Sequence, residues 1–85
     1  MPTTKMNDDE FLEYHIKNNI AYIDYIQSKG RGHGSILIDA LKVNNDHAVA
    51  EVHKHNLVGK RFFEKNGFIP NKETQKFITY VWRSK

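Results

Sequence analysis

The chain has 85 residues, 39% of them hydrophobic, a size that allows one small domain near the lower limit for a self-sufficient core. It has no cysteine, which excludes a disulfide framework, a thiolate metal site and a cysteine nucleophile and makes a reducing cytoplasm the expected compartment. Residues 1–28 carry two Lys against five acids (−3) and residues 29–85 carry eleven Lys and Arg against five acids (+6), so the second stretch suits an anionic guest.

No apolar run is long enough to span a membrane, and Met1–Asn7 leads into acidic residues with no signal-peptide pattern, so no membrane partner is expected. Residues 1–8 are expected to be flexible. Phe11–Lys17 alternates imperfectly and Ile20–Ile26 is aromatic and β-branched; with Asn18-Asn19 between them the stretch reads as a β-hairpin.

Next comes Lys29-Gly30-Arg31-Gly32-His33-Gly34-Ser35, followed at once by the helix-patterned Ile36-Leu37-Ile38-Asp39-Ala40-Leu41. Glycines let a ligand lie against the main chain, and the first helical turn aims unbonded N–H groups and a partial positive charge at it. Lys29 and Arg31 add cations, so the expected guest is a phosphate or pyrophosphate. The loop lacks the Lys-Ser/Thr of a Walker loop and the spacing of a dinucleotide fingerprint, and by itself it is also compatible with a structural turn.

The helix from about Gly34 to Val43 closes at Asn44-Asn45, and Ala48–Val52 reads as a short parallel strand buried on both faces. A second helix over residues 56–66 starts at a capping residue, Asn56, and stops at Asn66-Gly67. A short strand near Phe68-Ile69, ended by Pro70, and a last strand Lys76–Arg83 complete the order ββαβαββ, an α/β (mixed α+β) domain spanning residues 1–85.

The two glycine-bearing segments together resemble the GNAT superfamily of acetyl-CoA-dependent N-acetyltransferases. Lys29, Gly32 and Gly34 match its coenzyme loop; Asn56, Gly59, Phe62, Phe63, Gly67 and Phe68 match its later motif. The likeness covers residues 20–83 and the preceding strand and leaves out the N-terminal strand and helices of a full domain. It implies acetyl-CoA as cosubstrate, held by Ile26, Lys29, Arg31, Gly32, His33, Gly34, Ser35, Asn56, Lys60 and Phe63, and transfer of acetyl to an amine, with a lysine or N-terminus of a protein or peptide as the expected acceptor. A homodimer is a further expected partner, because the missing elements leave the strand Phe11–Lys17 as an uncovered edge.

The resemblance also distributes the chemistry. Glu51 is the candidate base, against the alternative that it closes an ion pair with a lysine, and Asp24 is its rival. The backbone N–H near Ile26 is the oxyanion donor. Phe63 stands where many relatives carry the Tyr that protonates the leaving thiolate, which leaves Tyr80 or water as donor. That departure favours the competing reading, a catalytically weak or inactive interaction module, a regulator or inhibitor that still binds CoA. His53 and His55 have His-x-His spacing without a clear third and fourth ligand, so no metal is expected. Lys and Arg are dispersed with no aromatic-basic platform, which argues against nucleic acid.

Overall fold

The computed structural model describes residues 3–84. Eight elements run in the order βββαβαββ: β1 (Thr3–Asn7), β2 (Glu10–Lys17), β3 (Ile20–Gln27), α1 (His33–Asn44), β4 (His47–His53), α2 (Leu57–Lys65), β5 (Ile69–Glu73) and β6 (Phe77–Arg83). The hairpin, the two helices and the three later strands are those expected, and one further strand precedes them. Within the stretch expected to be flexible, Met1 and Pro2 lie outside the described residues, whereas Thr3–Asn7 pairs antiparallel with β2. β1 therefore covers β2 only over Glu10–Glu13, and among the described residues Tyr14–Lys17 keep the open edge that was expected for the whole strand. Residues 3–7 carry no alternating apolar pattern that would announce a strand; the open backbone of β2 supplies their hydrogen-bond partners.

The sheet has six strands in the order β1-β2-β3-β4-β6-β5. β2 and β3 meet through Asn18 and Asn19, at φ 54° and 66°, two adjacent left-handed residues as a type I′ hairpin turn requires. β3 and β4 are parallel and joined through α1; all other neighbours are antiparallel. β5 begins at Ile69 and carries Pro70 inside it, where Pro70 had been expected to end the strand. β5 lies at the sheet edge, where a residue without an N–H leaves no ladder bond unmade on the solvent side.

Both helices pack on one face of the sheet. Leu37, Ile38 and Leu41 of α1 and Phe63 of α2 join Leu12 and Tyr14 of β2, Ala21 of β3, Ala48, Ala50 and Val52 of β4, and Ile78 and Tyr80 of β6 in one cluster. The opposite face, with Glu13, His15, Tyr22, Val49, Glu51 and Thr79, has no helix on it among the described residues. That corrects the reading of β4 as buried on both faces: Glu51 and His53 are exposed while Ala48, Ala50 and Val52 are buried. α1 approaches the sheet over β1 and β2, and α2 over β4 and β5. Leu41 is fully buried, so Leu41→Ala should cost about 2–5 kcal/mol of unfolding free energy, read by urea denaturation, through lost burial and the cavity left behind.

Candidate functional site

β3 and β4 pair only at Ala21↔Ala48, Tyr22↔Val49 and Ile23↔Ala50 and then separate. On its other side β3 pairs with β2 through a bulge: Tyr14 faces Ile23 and Glu13 faces Tyr25, so Asp24 is the extra residue. The gap opens into a cavity of about 450 Å³. Its helix-side wall includes Ile26, Ala50, Val52, Phe62 and Phe63, and its mouth on the bare sheet face carries Asp24, Tyr25, Glu51 and His53. The cavity therefore passes through the plane of the sheet.

The loop residues 29–35 do not line this cavity but lie beside it, Gly34 standing against the lining side chains of Phe62 and Ser28; α1 starts with Gly32 at φ 81°, a left-handed position that suits glycine, and no side chain caps it. The N–H of His33 bonds to the Gly30 carbonyl and that of Ile36 to the Gly32 carbonyl, whereas the N–H groups of Gly34 and Ser35 have no partner among the described residues. With no acid in the first turn, these amides present an anion site. Gly34 is needed for a second reason, since a Cβ there would sit 2.8 Å from the Phe62 ring. The glycine lets the first turn of α1 approach α2.

A feature that the sequence did not announce underlies the loop. Glu10, the first residue of β2, is 7% exposed and accepts hydrogen bonds from Asn7 Nδ2 (3.0 Å), the backbone N–H of Lys29 (3.2 Å) and of Gly30 (3.3 Å), and His33 Nδ1 (2.5 Å). The bonds from Asn7, His33 and Lys29, in that order, hold its carboxyl well below the ordinary 4.5, at about 2. The His33 ring lies against Gly30, where any Cβ would come within 2.2 Å of it. Lys29 also faces Asp9, at 3.7 Å, while Arg31 is exposed and makes no ion pair among the described residues.

Asn56 caps α2 by accepting the Gly59 N–H at 2.9 Å and lines the cavity with Gly59; a Cβ on Gly59 would strike the Asn56 side chain at 2.6 Å. Lys60 lies in the first turn of α2 with its amine 3.5 Å from the Lys54 carbonyl, away from the lining residues. Glu51 makes no ion pair among the described residues; the nearby Lys54 pairs with Glu73 at 2.9 Å. Asp24 is held by His15, whose Nδ1 lies 2.8 and 2.9 Å from its two oxygens.

Tyr80 is not at the cavity. It is 1% exposed, its hydroxyl donates to Glu64 at 2.7 Å, and its ring stacks on Phe63 at 6.3 Å. Burial, with the Glu64 carboxylate beside it, pushes its hydroxyl up to about 12. This removes Tyr80 as a donor to the leaving thiolate. The hydroxyls on the cavity wall belong to Tyr25 and Ser28. Ser28, Asp24 as a bulge and Glu10 are cavity and loop residues that sequence reasoning left without a role there, because bulges and cross-strand bonds leave no periodic signal.

No protein-family model and no curated protein matches the sequence. Solved structures share the fold. PaiA N-acetyltransferase from Thermoplasma acidophilum, in complex with coenzyme A, superposes with a TM-score of 0.76 at 24% identity, covering 87% of this chain and 52% of its own. The ribosomal-protein-S18-alanine N-acetyltransferase from Escherichia coli gives 0.75 at 17% identity, covering 96% and 66%, and the NatC complex bound to Gag peptide and CoA gives 0.66 at 15%, covering 89% and 60%. The chain thus has the fold of the GNAT N-acetyltransferases, of which it spans between half and two thirds of the length.

The depressed value at Glu10 sets a direction for acid stability. A carboxyl held down on folding contributes fully above its unfolded value, near 4.5, and the contribution is lost as pH falls towards about 2. Melting temperature should therefore drop through this interval more steeply in the wild type than in Glu10→Gln, as differential scanning fluorimetry across pH 2–6 would read.

Proposed function

We propose that the chain binds acetyl-CoA and transfers its acetyl group to a primary amine, with a lysine or N-terminus of a protein as acceptor. The observation that carries this is the passage through the sheet: its wall includes Ser28 and Phe62, which stand against Gly34 at the anion-receptive start of α1, and its opening on the other face bears carboxylates. The residues fit the cosubstrate: unpartnered amides of Gly34 and Ser35 with Arg31 nearby suit a diphosphate, and the Val52, Phe62 and Phe63 wall suits a narrow, largely apolar arm. CoA in the Thermoplasma enzyme and in the NatC complex supports the same reading. The face around the mouth, which carries no helix among the described residues, favours a macromolecular acceptor over a metabolite enclosed in a pocket, as do the ribosomal-protein and peptide-bound neighbours.

Acetyl-CoA supplies an activated acyl group. An amine near pH 7 is protonated, with a lysine value of about 10.4, so freeing its lone pair costs roughly 4–5 kcal/mol. Glu51, at the mouth and without an ion-pair partner among the described residues, takes that proton. The amide of Ile26 lies on β3 past its last pair with β4, where backbone groups on that side have no strand partner, and it donates to the carbonyl oxygen as charge develops there. The amine nitrogen bonds to the acetyl carbon as the carbon–sulfur bond breaks; Phe63 gives apolar contact and no proton, so CoA leaves as the thiolate and takes its proton from water.

Glu51→Gln should reduce acetylation of a lysine peptide mixture at pH 7 by roughly 10²–10⁴ with CoA affinity unchanged, and the loss should shrink as pH rises towards the amine's own value. Unchanged turnover in that variant would move the base to Asp24, and a wild type that binds CoA without turnover would transfer the reading to an inactive CoA-binding module. Gly32→Asp should abolish CoA binding in calorimetry, because it strains a left-handed residue and places a negative charge at the helix mouth.

A further inference from the structure

We infer that Glu10 is a positioning residue for the coenzyme loop: its carboxylate occupies the loop's inner amides and so leaves the outer ones, Gly34 and Ser35, aimed at a diphosphate. The inference rests on the proposed CoA site. A loop with several glycines has many accessible conformations, and ordering it on ligand binding costs affinity. Glu10 removes much of that cost beforehand. One oxygen, Oε2, collects the N–H groups of Lys29 and Gly30 and the His33 ring, while Oε1 is fixed by Asn7 from the β1–β2 turn. The loop is thereby tied to two strands on which it does not lie in sequence.

The arrangement also divides the donors between two anions. Lys29 and Gly30 amides face inward to a side chain that is 7% exposed, and those of Gly34 and Ser35 have no partner among the described residues. A carboxylate close to a diphosphate would ordinarily repel it. Here the Asn7 amide, the backbone N–H groups of Lys29 and Gly30 and the imidazole of His33 all bond to Glu10, so the carboxylate's charge is met within the protein. The ring can take that place only because residue 30 has no Cβ. Gly30 therefore serves His33 and Glu10, a different task from that of Gly32 and Gly34.

The test compares two ligands on the full chain by NMR titration: CoA, and pantetheine, which has the same arm without the diphosphate. Glu10→Gln keeps the shape and loses the charge; it should weaken CoA by about tenfold, leave pantetheine unchanged, and speed amide exchange at Lys29 and Gly30 in the ligand-free protein. Asn7→Ala removes one of the carboxylate's donors and should show the same ligand selectivity with a smaller factor, which keeps the inference open to refutation if Glu10→Gln does not fold. Equal weakening of both ligands would mean that Glu10 acts only through overall stability and would overturn the inference, as would undiminished CoA affinity. A wild type that binds no CoA would instead overturn the proposed function, and this role with it.

Discussion

β3 and β4 share three residue pairs and then part, and the rest of the site follows from that separation. Parallel strands that stay paired would close the sheet and leave only two faces. Once they diverge, the backbone of β3 beyond Ile23 is released from β4, a cavity of about 450 Å³ opens, and the two sides of the sheet communicate. The Asp24 bulge adds local twist to β3 just where the parting begins. β4 does not follow β3 because it is held along its whole length by β6, from His47↔Arg83 to His53↔Phe77.

The helices use this gap from one side. α1 and α2 both lie on the same face, and the contact of Gly34 with Phe62 brings the first turn of α1 against the second turn of α2 beside the opening. Asn56 and Gly59 make the α2 end compact enough for that approach, with the Asn56 side chain serving both as helix cap and as cavity wall. The other face is left to strands alone, and Asp24 and Glu51 stand there at the mouth. A two-layer domain is thus given two unlike surfaces on either side of one passage, the one suited to an anion and the other bearing carboxylates. The second hydrophobic layer that a sheet normally needs is absent among the described residues, which is consistent with Phe11, Tyr22 and Val49 being only partly buried.

Sequence patterns were informative wherever the determinant was local. Asn18-Asn19 set the hairpin turn, the glycine-rich loop and Asn56 set the two helix starts, and Gly34 and Gly59 carried a spacing that resembles a known family. These features depend on neighbours within a few residues, so the chain order alone encodes them. β1 was not legible, because it is a strand by virtue of pairing with β2. The place of Pro70 inside a strand was equally a matter of β5 being at the edge.

Tertiary structure decided what the side chains are for. Tyr80 and Glu51 face opposite ways from neighbouring strands: Tyr80 is sealed in the core on Glu64 and Phe63, and Glu51 opens to the cavity mouth. Nothing local distinguishes them, since burial depends on which face the helices cover. Glu10 is the clearest instance. In the sequence it is one more acid in an acidic segment, 19 to 23 residues from its partners Lys29, Gly30 and His33; in the fold it accepts hydrogen bonds from all three. The sequence by itself determined the hairpin, the two helices, the glycine loop and the family likeness, because hydrogen bonds and turns within a few residues specify them. The separation of two strands, the single covered face and the reach of one carboxylate across the chain came only with the tertiary structure, because each is a relation between segments that meet only when the sheet assembles.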